Sequence, residues 1–165
     1  MLTTGILPGS LPDARQLFVA ISGRATGEPS ALTRRARELA ELHAVLVVSR
    51  ATPVQSRSTS VPHRDIATEI GRVVDAIDEW AAIHLPRERG APMHTHSLGQ
   101  VFSHVARTYV RAWRTILYSG RADLGHSAWS RLAEVIQGYA TLRGEIQTGR
   151  RQLPLGWHGI PDRDG

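Results

Sequence analysis

Ser97-Leu98-Gly99-Gln100-Val101-Phe102-Ser103-His104-Val105-Ala106-Arg107-Thr108-Tyr109-Val110-Arg111-Ala112-Trp113 is the stretch whose periodicity decides the fold. Apolar residues recur at 98, 102, 105, 109 and 112/113, and the pattern continues to Ile116. That three-and-four spacing marks one buried face of a helix. Just upstream, His94-Thr95-His96 forms a polar loop carrying two imidazoles. Thr95 and Ser97 each offer a hydroxyl that can cap the helix by accepting from the unpaired amides of its first turn. Imidazoles beside a helix start with unpaired N–H donors are the first place to look for a site. The helix ends at Ser119-Gly120.

Working outward, Ile66, Ile70, Val73, Ile77, Trp80 and His84 hold the same alternation, widened by Val74 and Ala81, and that helix stops before Pro86. Ser30 caps an earlier helix whose buried face is Leu32, Ala36, Leu39, Leu42 or His43, and Leu46. Its end, Ala44-Val45-Leu46-Val47-Val48, is apolar all round, which predicts deep burial; a short strand is the alternative. Ser10 is placed to cap a short first helix with Pro12 in its first turn, Leu17, Phe18 and Ile21 inward, and Gly23 as its stop. The last long helix starts near Asp123 to Ser127 and carries Ala128, Leu132, Val135, Tyr139, Leu142 and Ile146. Residues 51–62 read as a flexible linker, and 1–10 and 155–165 as irregular ends, with Trp157 folding back on the body. The expectation is an all-α, antiparallel four-helix-type bundle with an additional N-terminal helix, one domain over 1–165.

Composition narrows the chemistry. The 165 residues, 41% hydrophobic, suffice for one domain with a core. Cys is absent, so disulfides, thiolate nucleophiles and Cys-ligated zinc are excluded. Lys is absent too, which excludes a Schiff-base or P-loop lysine; all 20 basic residues are Arg. Asn is also missing while Ala, Arg and Gly abound, a bias that fits a GC-rich, actinobacterial-type coding sequence. The net charge of +5 persists at any working pH and suits an anionic ligand or acidic partner. It is modest for a dedicated nucleic-acid binder, and few aromatics interleave with the arginines. No run approaches the roughly 18 apolar residues of a membrane span. The first residues show no basic stretch leading into an apolar one, so a cytoplasmic protein is expected.

Four segments together carry a resemblance. They are Ile77-Asp78-Glu79-Trp80, His94-Thr95-His96-Ser97-Leu98-Gly99, His126-x-x-Trp129-x-x-Leu132-Ala133-Glu134, and Gly149-Arg150-Arg151-Gln152-Leu153-Pro154. Over Leu32 to Pro154 the chain resembles domain-of-unknown-function family 4254, in its actinobacterial branch. The resemblance implies a helical fold and brings no established activity. The chain departs from that family's pattern at the Thr-x-Ser-x-Gly core, where His96 replaces an acidic residue, and at Ser103-His104.

Imidazole titrates near neutrality, so His94 and His96 are candidates for general acid and base. Arginine forks match carboxylate, sulfate or phosphate, so Arg150 and Arg151, with Gln100, His84 and Trp80, are candidates for binding the substrate. His94-x-His96 with His84 also resembles part of a zinc site, but no carboxylate sits at a diagnostic spacing, and no metal is expected. The plainer alternative is a helix-start loop whose histidines are exposed or capping. No Glu is followed by His three residues later, so a di-iron bundle is rejected. His104, Arg107, Arg111 and Arg114 form a basic stripe on the central helix, either solvated or docking an acidic partner through Arg107, Arg111 and Arg114.

The expected function is a cofactor-independent enzyme, or enzyme subunit, of bacterial specialised metabolism. It would perform elimination or cyclisation on an anionic small molecule and could share its site with a second subunit or a homodimer partner. The alternative is a non-catalytic helical protein that binds an acidic partner; nucleic acid and membrane are not expected.

Overall fold

The computed structural model describes residues 10–51 and 60–155, with side chains over 10–49 and 64–155. Five helices follow in order: α1 Ala14–Ile21, α2 Ala31–Ala51, α3 Ser60–His84, α4 Leu98–Tyr118 and α5 Ala122–Gln147. No β-sheet occurs among the described residues; one isolated parallel bridge joins Met93 to Gln152. The fold is the expected all-α bundle with an extra N-terminal helix.

The central element is α4, which packs against α2, α3 and α5, while α1 packs on α2 and α5. Its buried face is Leu98, Gly99, Phe102, Val105, Ala106 and Ala112. The expected stripe is thus buried at 98, 102, 105 and 112, while Tyr109 is half-buried and Trp113 and Ile116 are 41% and 40% exposed where no further helix among the described residues covers them. Phe102 is fully enclosed and meets Tyr139 of α5 edge-on at 5.7 Å. Around it Ile77, Leu39, Leu17 and Ile21 complete one apolar cluster. Removing such side chains from water is the main stabilising term of a fold this size.

Several boundaries differ from expectation, each for a local reason. The cap of α1 is Asp13, not Ser10. Asp13 Oδ1 accepts from the Gln16 amide at 2.7 Å and Gln16 Oε1 accepts from the Asp13 amide at 2.8 Å, a reciprocal capping box. Pro12 is buried and lies before the helix, not in its first turn. Ser30 does cap α2, accepting from the Thr33 amide at 3.2 Å. Helix continues through Ala51, so the strand alternative for Ala44–Val48 is excluded. That segment is also not deeply buried: Val45 is 51% and Val48 55% exposed.

Of the expected linker 51–62, Ala51 belongs to α2 and Ser60, Val61 and Pro62 to α3. Proline is tolerated in a helix's first turn because an amide there has no intrahelical partner to lose. The rest of that linker, and Trp157, lie outside the described residues. Among the described residues no helix is long and apolar enough to cross a membrane.

Candidate functional site

The start of α4 is closed by a reciprocal capping box and held on α3 by one hydrogen bond beside it. Ser97 Oγ accepts from the Gln100 amide at 3.3 Å, and Gln100 Oε1 accepts from the Ser97 amide at 3.4 Å. The Gly99 amide, one of the unpaired donors of the first turn, donates to Asp78 Oδ1 of α3 at 2.7 Å. A side chain on Gly99 would run into the Val74 backbone carbonyl, so α4 approaches α3 at a distance only glycine allows. Of the two candidate caps, Ser97 acts; the Thr95 hydroxyl lies 2.9 Å from His96 Nδ1 instead.

A second clamp fixes the histidine loop from the other side. After α5, Gly149 turns with φ +68° and brings Arg151 and Gln152 back along 91–94. The His94 amide donates to Gln152 O at 2.8 Å, the Gln152 amide to Pro92 O at 3.1 Å, and Gln152 Nε2 to Ala91 O at 2.7 Å. Arg151 Nε donates to Glu145 Oε2 at 3.0 Å. The Arg151 guanidinium holds the Glu145 carboxyl below its ordinary range, and the charges of Arg150 and His94 act in the same direction.

These clamps set His94 and His96 at the rim of a cleft of about 480 Å³. Gln100, Ser103, His104 and Arg107 line it from α4, and Val135, Gly138, Tyr139 and Leu142 from α5. Val74, Val101 and Val105 add apolar wall. A small organic molecule with an apolar body and a polar end fits such a lining.

Hydrogen-bond partners bear on the ring protons. His94 Nδ1 lies 2.9 Å from His96 O, and the His96 amide donates to the same nitrogen at 3.2 Å. The carbonyl contact uses the tautomer with its hydrogen on Nδ1, and the amide contact the tautomer with its lone pair there. Arg107 Nη2 lies 3.1 Å from His104 Nδ1, and a guanidinium only donates, so the neutral ring carries its hydrogen on Nε2. His96 stands with its ring 6.0 Å from that of His94.

Of the residues expected from sequence, His94, His96 and Gln100 meet at the cleft. Trp80 and His84 form a separate stack on α3, rings 4.5 Å apart, with His84 Nδ1 donating to Trp80 O at 2.8 Å. Arg151 is engaged with Glu145, and Arg150 Nε donates to Thr148 Oγ1 at 3.0 Å; neither lines the cleft. The guanidinium that does is Arg107, placed by sequence on a docking stripe. Arg111 is exposed, and Arg114 lies 5.5 Å from the Tyr118 ring centre, beside a different groove. Ser103, whose hydroxyl is 2.9 Å from His43 Nε2, and Gln152 were not singled out by sequence as parts of a site. Gln152 had no signal beyond its place in the Gly149–Pro154 motif. Among the described residues no group of three or more His, Asp or Glu side chains is close enough to hold a metal ion.

No protein-family model matches the chain, and neither a curated protein nor a solved structure matches it.

Proposed function

We propose that the cleft binds a small organic anion and abstracts a proton from it, an elimination or cyclisation without a redox cofactor. The observation that supports this is the convergence of His94, His96, Gln100, His104 and Arg107 on one apolar-walled cleft. Arg107 and Gln100 hold the anionic end, since a guanidinium and an amide together satisfy a carboxylate. His94 Nε2 takes a proton from the carbon beside that group. The C–H electron pair forms the new double bond, and the leaving group departs with its bonding pair. The His96 imidazolium protonates it, and proton exchange with solvent resets both rings. His94 is positioned for this by the contacts of its Nδ1 with the His96 carbonyl and amide and by the Gln152 clamp on its own amide, and it acts in the tautomer that carries its hydrogen on Nδ1. Membership of family 4254 and a cytoplasmic location belong to the same proposal.

Hydrogen–deuterium exchange tests it without knowledge of the natural substrate. A panel of small keto and hydroxy acids is incubated with the protein in heavy water and followed by proton NMR. Enzyme-dependent loss of the signal beside the carboxylate is expected for at least one acid. That loss should fall by about 10²-fold or more in His94→Ala, with the helical circular dichroism unchanged. Exchange that persists in His94→Ala, or none above the buffer rate across the panel, rules the reading out.

A further inference from the structure

A second cavity, of about 300 Å³, lies between α2 and α4. Ala40, Ala44 and Val47 line it from α2, and Val110, Trp113 and Leu117 from α4. Both sets repeat at three-and-four spacing, so two apolar stripes run side by side. The short α1 packs on α2 and stops at Ile21, which lines the cavity; no further helix among the described residues covers the stripes. Trp113 is 41%, Leu117 54% and Tyr118 75% exposed. This is where both sequence patterns expected burial: the apolar end of α2 and the stripe of α4 continuing past Tyr109. A contiguous apolar groove of this kind marks an interaction surface rather than scattered exposed side chains.

Arg37, Glu41 and Arg114 line it, and Arg37 is paired with Glu41 at 2.7 Å, which leaves one uncompensated positive charge at the rim. Arg114 lies over the Tyr118 ring, and among the described residues no carboxylate pairs with it. We propose that this groove docks a partner protein's amphipathic helix, apolar on the buried face and acidic on its flanks. The apolar face fills the seam between α2 and α4 as a third helix of that layer, and an acidic flank meets Arg114. A second copy of this chain fits less well, because a twofold pairing through the groove brings its own arginines to both sides. The surface is distinct from the histidine cleft, so it stands whether or not that cleft is catalytic.

The absence of cysteine gives a clean test. Leu117→Cys puts a single thiol in the full-length chain at a half-exposed position that tolerates a smaller side chain. Its reaction with a maleimide is timed alone and with two helix-forming peptides sharing one leucine stripe, one flanked by glutamates and the other by lysines. Fast labelling of the free protein is expected, slowed by the glutamate peptide at a concentration about tenfold below that of the lysine peptide. In Leu117→Cys/Arg114→Ala that preference should shrink. Slow labelling independent of protein concentration means the chain's own remaining residues cover the groove, and overturns the proposal. Slow labelling that speeds on dilution assigns the groove to a second copy and overturns it as well. Equal protection by both peptides, or by neither, removes the acidic partner.

Discussion

Gly99 illustrates how much a single position carries. Its missing side chain lets α4 touch the backbone of α3, and its amide donates to Asp78 at that same crossing. In Gly99→Ala the new carbon meets the Val74 carbonyl, a backbone atom that cannot rotate away, so the helices must separate. Gly99→Ala is expected to lower stability by about 1–3 kcal/mol, despite alanine's better helix propensity. Urea unfolding followed by circular dichroism measures it; a variant as stable as the parent would mean the crossing is loose. The Thr-x-Ser-x-Gly segment is thereby explained at two of its three named positions by helix docking: Ser97 caps, and Gly99 permits contact.

At the scale of the element, α4 is both the core helix and the platform for the cleft. Its N-terminal turns bury Leu98, Phe102 and Val105 on one side and present Gln100, His104 and Arg107 on another. Ser97→Ala removes the hydroxyl that accepts from the Gln100 amide and is expected to cost about 1 kcal/mol. Gln100 Oε1 accepts from the backbone amide of residue 97, which this change keeps, so the Gln100 side chain retains that tether within the cleft. The loss should appear in the urea midpoint, while Thr95→Ala, whose hydroxyl caps nothing, should leave that midpoint unchanged within error. The cap was legible in the sequence as one of two hydroxyls; choosing between them needed the backbone of the turn. The placement of Arg107 was not legible. Periodicity says which residues share a helix face, but not which neighbouring element that face meets, so Arg107 read as solvated or docking rather than as cleft lining.

Across the whole molecule, α1 is tied down by α5. Tyr139, only 2% exposed, donates its hydroxyl to Pro12 O at 2.6 Å, and Arg143 Nε donates to Leu11 O at 3.1 Å. Burial pushes the Tyr139 phenol well above its ordinary value; Asp13 adds to the shift and Arg143 opposes it. An unfolded tyrosine ionises near pH 10. Above that the unfolded chain loses a proton that the native state keeps, so the contribution of Tyr139 is complete below about pH 10 and is lost as pH rises further. The urea midpoint should therefore fall as pH rises above about 10, and Tyr139→Phe should flatten that part of the slope. The same variant should cost about 1–2 kcal/mol at neutral pH, since it leaves the Pro12 carbonyl without its donor. A slope unchanged in Tyr139→Phe would assign alkaline unfolding to other groups.

The sequence by itself determined the helix count, the central part of the buried stripes and the presence of His94, His96 and Gln100 around one helix start. Those follow from spacing along a single segment, which is local information. Only the tertiary structure decided what meets what. Gln152 pairs with residues some sixty positions away, and such loop-to-loop hydrogen bonds leave no periodic trace. Trp80 and His84 stack on their own helix rather than joining the cleft, because an i,i+4 pair can satisfy itself locally. The apolar end of α2 and the lower stripe of α4 read as buried, since a hydrophobic pattern records a preference for leaving water. It does not record whether this chain supplies the surface that covers them.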